Sequence, residues 1–339
     1  MARLAGVSVA TASRSLTGRS DKVSAATLRK VHDAATTLGY RPNLSARQVS
    51  QGRTDAVALV ASDLAGSYLP RVVTGFLVSA ERQQLAVTVA ASEPHHELDA
   101  ATVSSLRGLR PRALVLAGSR VIDADVEAAL LQELLQFEAD GSRVVVVGEP
   151  GLPFDTVVID HASSSRALVH ALVDLGYRSF GILAGPRRLL MSEQRLRGFR
   201  AGLEERGIGI PDSAVLRTHF SRDGGYVAAG ELLSRDLRLE IVLAVDDSIA
   251  VGALTRWREA GMHVPDDLAL AGFGGSTILR DVYPDLTTLA IPTHFIGEEA
   301  LRLAMLPMAP QPRELTISGE PAIGVSTPRL PRAAHRVHR

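Results

Sequence analysis

The sequence predicts an all-α helix-turn-helix head joined by a hinge helix to an α/β body of two doubly wound parallel-sheet lobes. Three observations support this fold class. Positive charge is concentrated in the first 53 residues, helix-capping and turn residues recur in that segment, and short aliphatic runs alternate with helical patterns after it. We expect a head at 1–42, a hinge helix at 43–53, a two-lobed ligand-binding and dimerisation domain at 54–327, and a basic, disordered tail at 328–339.

The charge of the chain is divided between its two parts. Residues 1–53 carry nine Lys and Arg against two acidic residues, a net charge of +7. The remainder carries 28 basic and 35 acidic residues, a net charge of −7. A basic module on a chain that is neutral overall predicts a polyanion as the partner of that module.

Capping residues give the basic module its shape. Gly6 permits a tight turn, and Ser8 is a good N-cap for a helix that begins at Val9. Ser24 is the N-cap of the next helix, which Gly39 ends. The apolar positions between these two residues are Leu28, Val31, Ala35 and Leu38. This pattern indicates a helix-turn-helix, whose second helix enters the DNA major groove. The alternative is a small helical bundle with a solvated basic face.

A short third segment follows Pro42, which blocks continuation of the preceding helix. Asn43 can cap a helix that extends to Gln51. A helix this short is not stable alone, so we expect it to order only against a partner.

The body after residue 54 shows two successive series of strand and helix patterns. Helical stretches such as Asp123–Asp140 separate the aliphatic runs, which we interpret as buried parallel strands. Two such series predict two lobes, with a ligand in the cleft near the strand C-termini. The predicted strands are Ala56–Ala61, Leu85–Ala91, Ala113–Ala117, Arg143–Gly148, Thr156–Asp160, Phe180–Gly185, Val215–Thr218, Ile241–Val245 and Leu268–Gly272.

Motifs along the chain resemble those of the lac repressor (LacI/GalR) family of bacterial transcription regulators. The matching residues in the first part are Ala5-Gly6-Val7-Ser8, Thr11, Ser13-Arg14, Val23-Ser24, Thr27, Leu38-Gly39-Tyr40-Arg41-Pro42-Asn43, Ala46-Arg47 and Gly52-Arg53-Thr54. The resemblance extends to about residue 320. It implies lobes like those of periplasmic sugar-binding proteins, with the chain after about Leu289 returning to the first lobe. It also implies a homodimeric repressor that reads a near-palindromic double-stranded DNA operator under the control of a small-molecule effector, a sugar or related metabolite.

The resemblance further implies that the segment from Asn43 to Gln51 becomes ordered only when two copies meet on DNA. The segment would then act as a switch, because separating the two copies lowers DNA affinity.

Arg14 is the first candidate for direct reading of a base, since its guanidinium can pair with guanine for about 1–3 kcal/mol of discrimination. Val9 and Ala10 offer apolar contacts, and Thr11 and Ser13 suit phosphate positioning. Val49 stands where the family has a leucine that wedges into the minor groove, so we expect a shallower DNA kink. The full expected DNA-binding set is Ser8, Val9, Ala10, Thr11, Ser13, Arg14, Asn43, Ala46, Arg47 and Val49.

Two further departures from the family concern the head. Family members begin a few residues earlier, so we expect that translation starts upstream of Met1; the alternative is a weakened head. Thr17 replaces a frequent asparagine, which is a smaller change.

The expected effector-binding residues follow strand ends or match family motifs. They are Asp63, Tyr68, Leu69, Asp160, Arg195, Phe220 and Asp246. Arg195 lies in a segment that looks like the family's effector-arginine motif, and Phe220 stands where an aromatic ring often stacks on the sugar. Gly274-Gly275 replaces a common acidic pair, so one sugar-binding carboxylate is missing and Asp246 substitutes in part.

Other interpretations stay open for individual residues. Phe220 can be part of the core, and His161 is expected to be a cap or surface residue. Asp247 can be either a ligand-binding group or an acid at a helix N-terminus.

The absence of several motifs argues against other classes of function. The chain has no cysteine, no apolar run near the ~18 residues of a membrane span, and no dinucleotide, Walker, zinc-protease or nucleophile-elbow motif. We interpret His95-His96-Glu97 as a solvated helix start rather than a metal site. We therefore expect a cytoplasmic, non-enzymatic protein without cofactor, metal or membrane partner. The alternatives are a regulator that has lost sugar control and a solute-binding protein without a DNA function.

Overall fold

A computed structural model of the chain describes residues 1–16, 23–40, 56–62, 64, 66, 68–91, 98–235, 237–277, 279 and 285–331. The chain divides into two compact units, Met1–Thr54 and Asp55–Arg339. The predicted hinge helix at 43–53 and most of the basic tail lie outside the described residues, as does the histidine pair at 95–96. The domain boundaries therefore stay predictions.

The described residues of the first unit form three helices whose ends are set by local capping. Ser8 Oγ accepts a hydrogen bond from Thr11 N at 3.0 Å, and Ser24 Oγ accepts one from Thr27 N at 3.3 Å. Gly6 has a φ of 65°, the left-handed conformation that lets the chain turn between the first two helices. The helices are α1 (Ala2–Ala5), α2 (Val9–Leu16) and α3 (Ala25–Thr37). The predicted caps are confirmed.

A small apolar core joins these three helices. Ala5, Ala12, Val31 and Ala34 are buried together, and Val7 and Leu16 pack against them. The opposite face of α2 is exposed, as the helical spacing predicts. The interior is small because its main contributors are alanines and a valine.

The second unit contains two six-stranded sheets, one in each lobe. The first sheet is parallel throughout, with the order β11-β5-β4-β3-β1-β2. The second has the order β12-β10-β9-β8-β6-β7, and only β12 is antiparallel to its neighbour. The strands are β1 (Ala56–Ala61), β2 (Ala86–Ala91), β3 (Ala113–Ala117), β4 (Arg143–Gly148), β5 (Asp155–Ile159), β6 (Phe180–Ala184), β7 (Val215–Arg217), β8 (Ile241–Ala244), β9 (Ala269–Gly274), β10 (Thr287–Ala290), β11 (Glu314–Ile317) and β12 (Glu320–Ala322).

Helices cover both sheets, so the central strands are buried on both faces and read as continuous apolar runs. They are α4 (Leu69–Arg82), α5 (Ala100–Ser105), α6 (Ala124–Ala139), α7 (His161–Asp174), α8 (Leu190–Glu205), α9 (Arg222–Ser234), α10 (Asp247–Glu259) and α11 (Thr293–Met305). Within the described part of the chain, no helix combines the length and apolar character needed to cross a bilayer.

The chain passes between the lobes three times. It enters the second lobe between β5 and α7, returns to the first between β10 and α11, and enters the second again between β11 and β12. The expected return after about Leu289 is therefore confirmed. The two doubly wound lobes are confirmed as well.

One predicted strand has a different environment from the one expected. The run Leu85–Ala91 was predicted to be buried, but β2 lies at the edge of the first sheet and is at most half-buried. Its aliphatic sequence matches that of a central strand, so its pattern alone does not reveal the edge position. The other predicted strands agree with the structure to within about two residues at each end.

Candidate functional site

A pocket lies between the two lobes at the C-terminal ends of their strands, where doubly wound sheets bind ligands. The cavity measures about 60 Å³. The first lobe supplies Ser62, Gly66, Tyr68, Leu69, Gly118, Ser119, Val147, Gly148, Glu149 and Ile159, and the second supplies His161, Met191, Arg195, Phe220, Asp246 and Ser248. Polar and apolar side chains thus line the pocket together.

The first-lobe side of the pocket depends on a close approach between strand ends. Gly118 follows β3 with a φ of 146°, and a Cβ on it would collide with the Oγ of Ser62, which follows β1. A glycine is therefore required for both its backbone conformation and the space beside it. This packing brings the ends of β1 and β3 together under the cavity.

Arg195 is the central cation of the pocket. It is 1% exposed, yet its guanidinium has specific partners. Nη1 donates to the Val245 carbonyl at 2.6 Å, Nε donates to His161 Nδ1 at 3.3 Å, and the guanidinium carbon lies 4.0 Å from the ring centroid of Phe273. Burial lowers the pKa of Arg195 to about 10, so the side chain stays charged at neutral pH.

His161 contradicts the expectation of a cap or surface histidine. It is 2% exposed, and the cap of α7 is Asp160, whose carboxylate accepts a hydrogen bond from Ser163 N at 2.9 Å. Burial and the neighbouring charge of Arg195 hold the pKa of His161 well below 6.5. Since Nδ1 accepts from Arg195, the imidazole is neutral and carries its proton on Nε2.

Gly198 explains why His161 and Arg195 meet. A Cβ on Gly198 would lie 2.7 Å from Ser165 Cβ and closer still to the Ala162 carbonyl, both on α7. The absence of this Cβ lets α8 pack directly on α7. The family-like segment Arg195–Phe199 thus combines a pocket-lining arginine with the glycine that positions its helix.

Asp246 and Asp247 begin α10 but differ in environment. Asp246 lines the pocket, and its carboxylate accepts from Ser248 N at 2.8 Å as the N-cap. Asp247 is buried behind it and accepts from Ser276 N and Thr288 Oγ1, both at 2.7 Å. Burial and the charge of Asp246 raise the pKa of Asp247 to about 6. Of the two interpretations of Asp247, the structure favours the helix N-terminal acid.

Glu149 is a pocket carboxylate that our sequence interpretation missed. It follows β4, is 1% exposed, and accepts from Ser119 Oγ at 2.8 Å and from Arg120 N at 3.2 Å. Burial raises its pKa. The strand-end rule that selected Asp160 would also have selected Glu149, so the signal was present in the sequence.

The predicted effector residues are brought together in part. Tyr68, Leu69, Arg195, Phe220 and Asp246 all line the pocket. The buried Tyr68 hydroxyl has no hydrogen-bond partner within the described chain. Asp160 instead lines a separate groove beside α7, and Asp63 lies outside the described residues.

A contact between the lobes lies at Gly274-Gly275, where family members commonly have an acidic pair. Gly275, which follows β9 in the second lobe, has a carbonyl that accepts a hydrogen bond from Nη1 of Arg71 at 2.5 Å. Arg71 lies on α4 of the first lobe. A contact between the lobes thus stands at the position of the missing carboxylates.

The candidate DNA-reading residues share the exposed face of α2. Val9 is 78% exposed, and Ala10, Ser13 and Arg14 are exposed beside it. Arg14 Nε donates to the Ala10 carbonyl at 3.2 Å, so the guanidinium folds along its own helix. Ser8 is exposed and Thr11 is half-buried at the start of the helix. Asn43, Ala46, Arg47 and Val49 lie outside the described residues, and so does Thr17.

Comparisons with known proteins agree with both parts of this description. Residues 1–43 match the profile of bacterial regulatory proteins of the lacI family, and residues 169–327 match a periplasmic binding protein-like domain. The HTH-type transcriptional regulator CelR of Thermobifida fusca is 32% identical over 314 residues, covering 89% of each chain. The regulator GalS of Salmonella typhimurium is 31% identical over 307 residues, covering 90% of this chain and 88% of GalS.

A solved structure of a CelR–cellobiose complex superposes with a TM-score of 0.71 at 29% identity, covering 96% of this chain and 98% of the other. The helical head, the pocket between the lobes and the comparisons support the same family over nearly the whole chain. The chain therefore belongs to the lacI family of bacterial regulatory proteins and is a DNA-binding transcriptional regulator.

Proposed function

We propose that this regulator is a repressor that binds a near-palindromic operator as a homodimer and that a small carbohydrate or related metabolite controls its operator affinity. The main support for this proposal is the pocket between the two lobes. It contains the buried cation Arg195, with aromatic and carboxylate side chains beside it. A two-fold protein reads two half-sites, and linking them raises the effective concentration of the second contact. We place the protein in the cytoplasm, where bacterial operators are.

The proposed DNA-binding set is the one expected from the sequence, with Arg14 as the base reader and the exposed face of α2 in the major groove. The support is that Val9, Ala10, Ser13 and Arg14 form one exposed face while the rest of α2 packs on α1 and α3. The four hinge-segment residues complete the proposal through the family resemblance. Double-stranded DNA is the polyanion that the +7 segment requires.

The proposed effector contacts are Tyr68, Leu69, Arg195, Phe220 and Asp246, to which we add Glu149. Cellobiose in the CelR complex is a neutral ligand rich in hydroxyl groups. The unpartnered Tyr68 hydroxyl and the carboxylates of Asp246 and Glu149 would bond such groups, while Phe220 offers a ring to stack on.

We infer that the pocket binds its ligand without converting it. His161 Nδ1 accepts a hydrogen bond from Arg195, so this nitrogen is not free to take a proton from a ligand. The matched relatives GalS and CelR are transcriptional regulators, which supports a binding role for the pocket.

Two measurements test the proposal. Full-length protein selecting from a pool of random duplexes should enrich one near-palindromic sequence, and selection of no common sequence would refute sequence-specific binding.

Thermal unfolding with mono- and disaccharides, cellobiose among them, should reveal a stabilising ligand for the parent protein and none for Arg195→Ala. Equal stabilisation of both proteins would remove Arg195 from the site.

A further inference from the structure

Two loops from opposite lobes pair beside the effector pocket. The loop after β3 and the loop before α8 form an antiparallel bridge between Val121 and Leu189. Ile122 N donates to the Arg188 carbonyl at 2.7 Å, and Leu190 N donates to the Arg120 carbonyl at 3.0 Å. The lobes are thus joined by backbone hydrogen bonds at a place where the chain does not cross between them.

The start of α8 carries a capping interaction from the other lobe. Its own N-cap residue is Leu189, whose side chain cannot accept a hydrogen bond. The Met191 N–H, in the first turn of α8, donates instead to Ser119 Oγ at 3.0 Å. First-turn N–H groups have no partner within their helix, so this hydroxyl supplies a cap that the local sequence lacks.

A buried carboxylate holds Ser119 in the capping orientation. Ser119 is 4% exposed, and its hydroxyl donates to Glu149 at 2.8 Å, which leaves an oxygen lone pair for Met191 N–H. The other oxygen of Glu149 accepts from Arg120 N at 3.2 Å and fixes the backbone of the same loop. The acceptor is therefore positioned by the first lobe before the second lobe reaches it.

The capped turn leads directly to the effector cation. Met191 and Arg195 are four residues apart on α8, and both line the pocket. Because Ser119 belongs to the first lobe and Met191 to the second, separation of the lobes at this edge of the pocket breaks the contact between them.

We propose that Ser119 is a positioning residue that couples closure of the lobes to completion of α8, the helix that presents Arg195. When the lobes close, Ser119 caps α8 across the cleft; when they open, the first turn of α8 loses its cap. This inference rests on the proposed function only for the role of Arg195 in ligand binding. The coupling itself is a property of the protein without ligand or DNA.

The experiment measures lobe separation directly in the full chain. The sequence has no cysteine, so Gln132→Cys on α6 and Arg187→Cys before α8 give two unique spin-label sites, one in each lobe. Both residues are exposed. An excess of unlabelled protein ensures that one labelled copy at most is present in each dimer, and double electron–electron resonance reports the distance without ligand or DNA.

We expect Ser119→Ala to raise the ratio of open to closed molecules about fivefold, the effect of losing one helix cap. Ser119→Thr retains the hydroxyl and should restore the parent distribution. The matched control is Ser142→Ala, which removes another buried serine of the first lobe whose hydroxyl donates within that lobe, to the Pro111 carbonyl at 2.6 Å. It should leave the distance unchanged.

Hydrogen exchange of the backbone amides in the peptide that contains Met191 provides a second readout. Exchange should be faster in Ser119→Ala, which removes the acceptor of the Met191 N–H, and unchanged in Ser119→Thr and Ser142→Ala. An unchanged distance distribution in Ser119→Ala would overturn the proposal, as would an equal change in Ser142→Ala. Neither measurement involves an operator or effector, so a negative result here is distinct from failure of the proposed function.

Discussion

Replacing Gly198 with alanine tests whether the contact between α7 and α8 builds the effector site. The new Cβ would lie 2.7 Å from Ser165 Cβ, whereas non-bonded carbon atoms pack at about 3.5–4.0 Å. It would lie closer still to the Ala162 carbonyl, a backbone atom that cannot rotate away. The helices must therefore separate by about 1 Å, which would stretch the 3.3 Å bond between Arg195 Nε and His161 Nδ1.

The expected loss of stability is about 2 kcal/mol. Overpacking against backbone costs about 3 kcal/mol, and alanine recovers about 1 kcal/mol of helix propensity over glycine. The single tryptophan, Trp257, is fully buried in the second lobe, so its fluorescence during urea unfolding reports the lobe that contains both helices.

Gly230→Ala on α9 is the matched control. A Cβ there would meet only the flexible side chain of Arg256, with Nε at 2.8 Å, so we expect unchanged or slightly higher stability. If Gly198→Ala proves as stable as Gly230→Ala, the tight helix contact does not exist and our account of how His161 reaches Arg195 is wrong.

Two further predictions concern DNA reading and pH. Arg14→Ala should lower the binding free energy for the selected operator by about 1–3 kcal/mol and relax the preference for one base pair. Lys30 is exposed, and Lys30→Ala should weaken binding to specific and random duplexes equally. If a binding titration shows that Arg14→Ala loses equal affinity for both kinds of duplex, Arg14 does not read a base. Because the folded state raises the pKa of Asp247 from 3.8 to about 6, it holds that proton more tightly than the unfolded state, and this contribution to stability falls as the pH rises from about 4 to 6. Asp247→Asn should remove this decrease in urea unfolding at pH 4.5 and 6.5, and an unchanged pH slope would show that Asp247 titrates normally.

Local signals in the sequence predict most of the fold. Helix α6 begins and ends within the predicted range Asp123–Asp140 because Asp123 is a strong N-cap, with Oδ1 accepting from Asp125 N at 3.0 Å. The central strands are recognisable because both of their faces are buried. The edge position of β2 was not predictable, since sheet order depends on pairing between distant segments.

The candidate effector site could be predicted only in part from the sequence, for a related reason. Arg195 was found through its motif, but the ring beneath it belongs to Phe273, which is 78 residues away. The sequence around His161 does not show that the residue is buried, because its burial depends on the close packing of α8 on α7 at Gly198. Ser119 has no sequence signal at all, because its partner is a backbone N–H of the other lobe.

The three passages of the chain between the lobes impose an order on biosynthesis. The first sheet is not complete until β11 at Glu314–Ile317 has been added beside β5, so nearly the whole polypeptide must leave the ribosome first. The nascent first lobe therefore exposes the edge of β5 and the apolar surface that α11 will cover while the second lobe is being translated. We therefore expect this topology to increase the need for chaperones during synthesis more than it affects the stability of the folded protein.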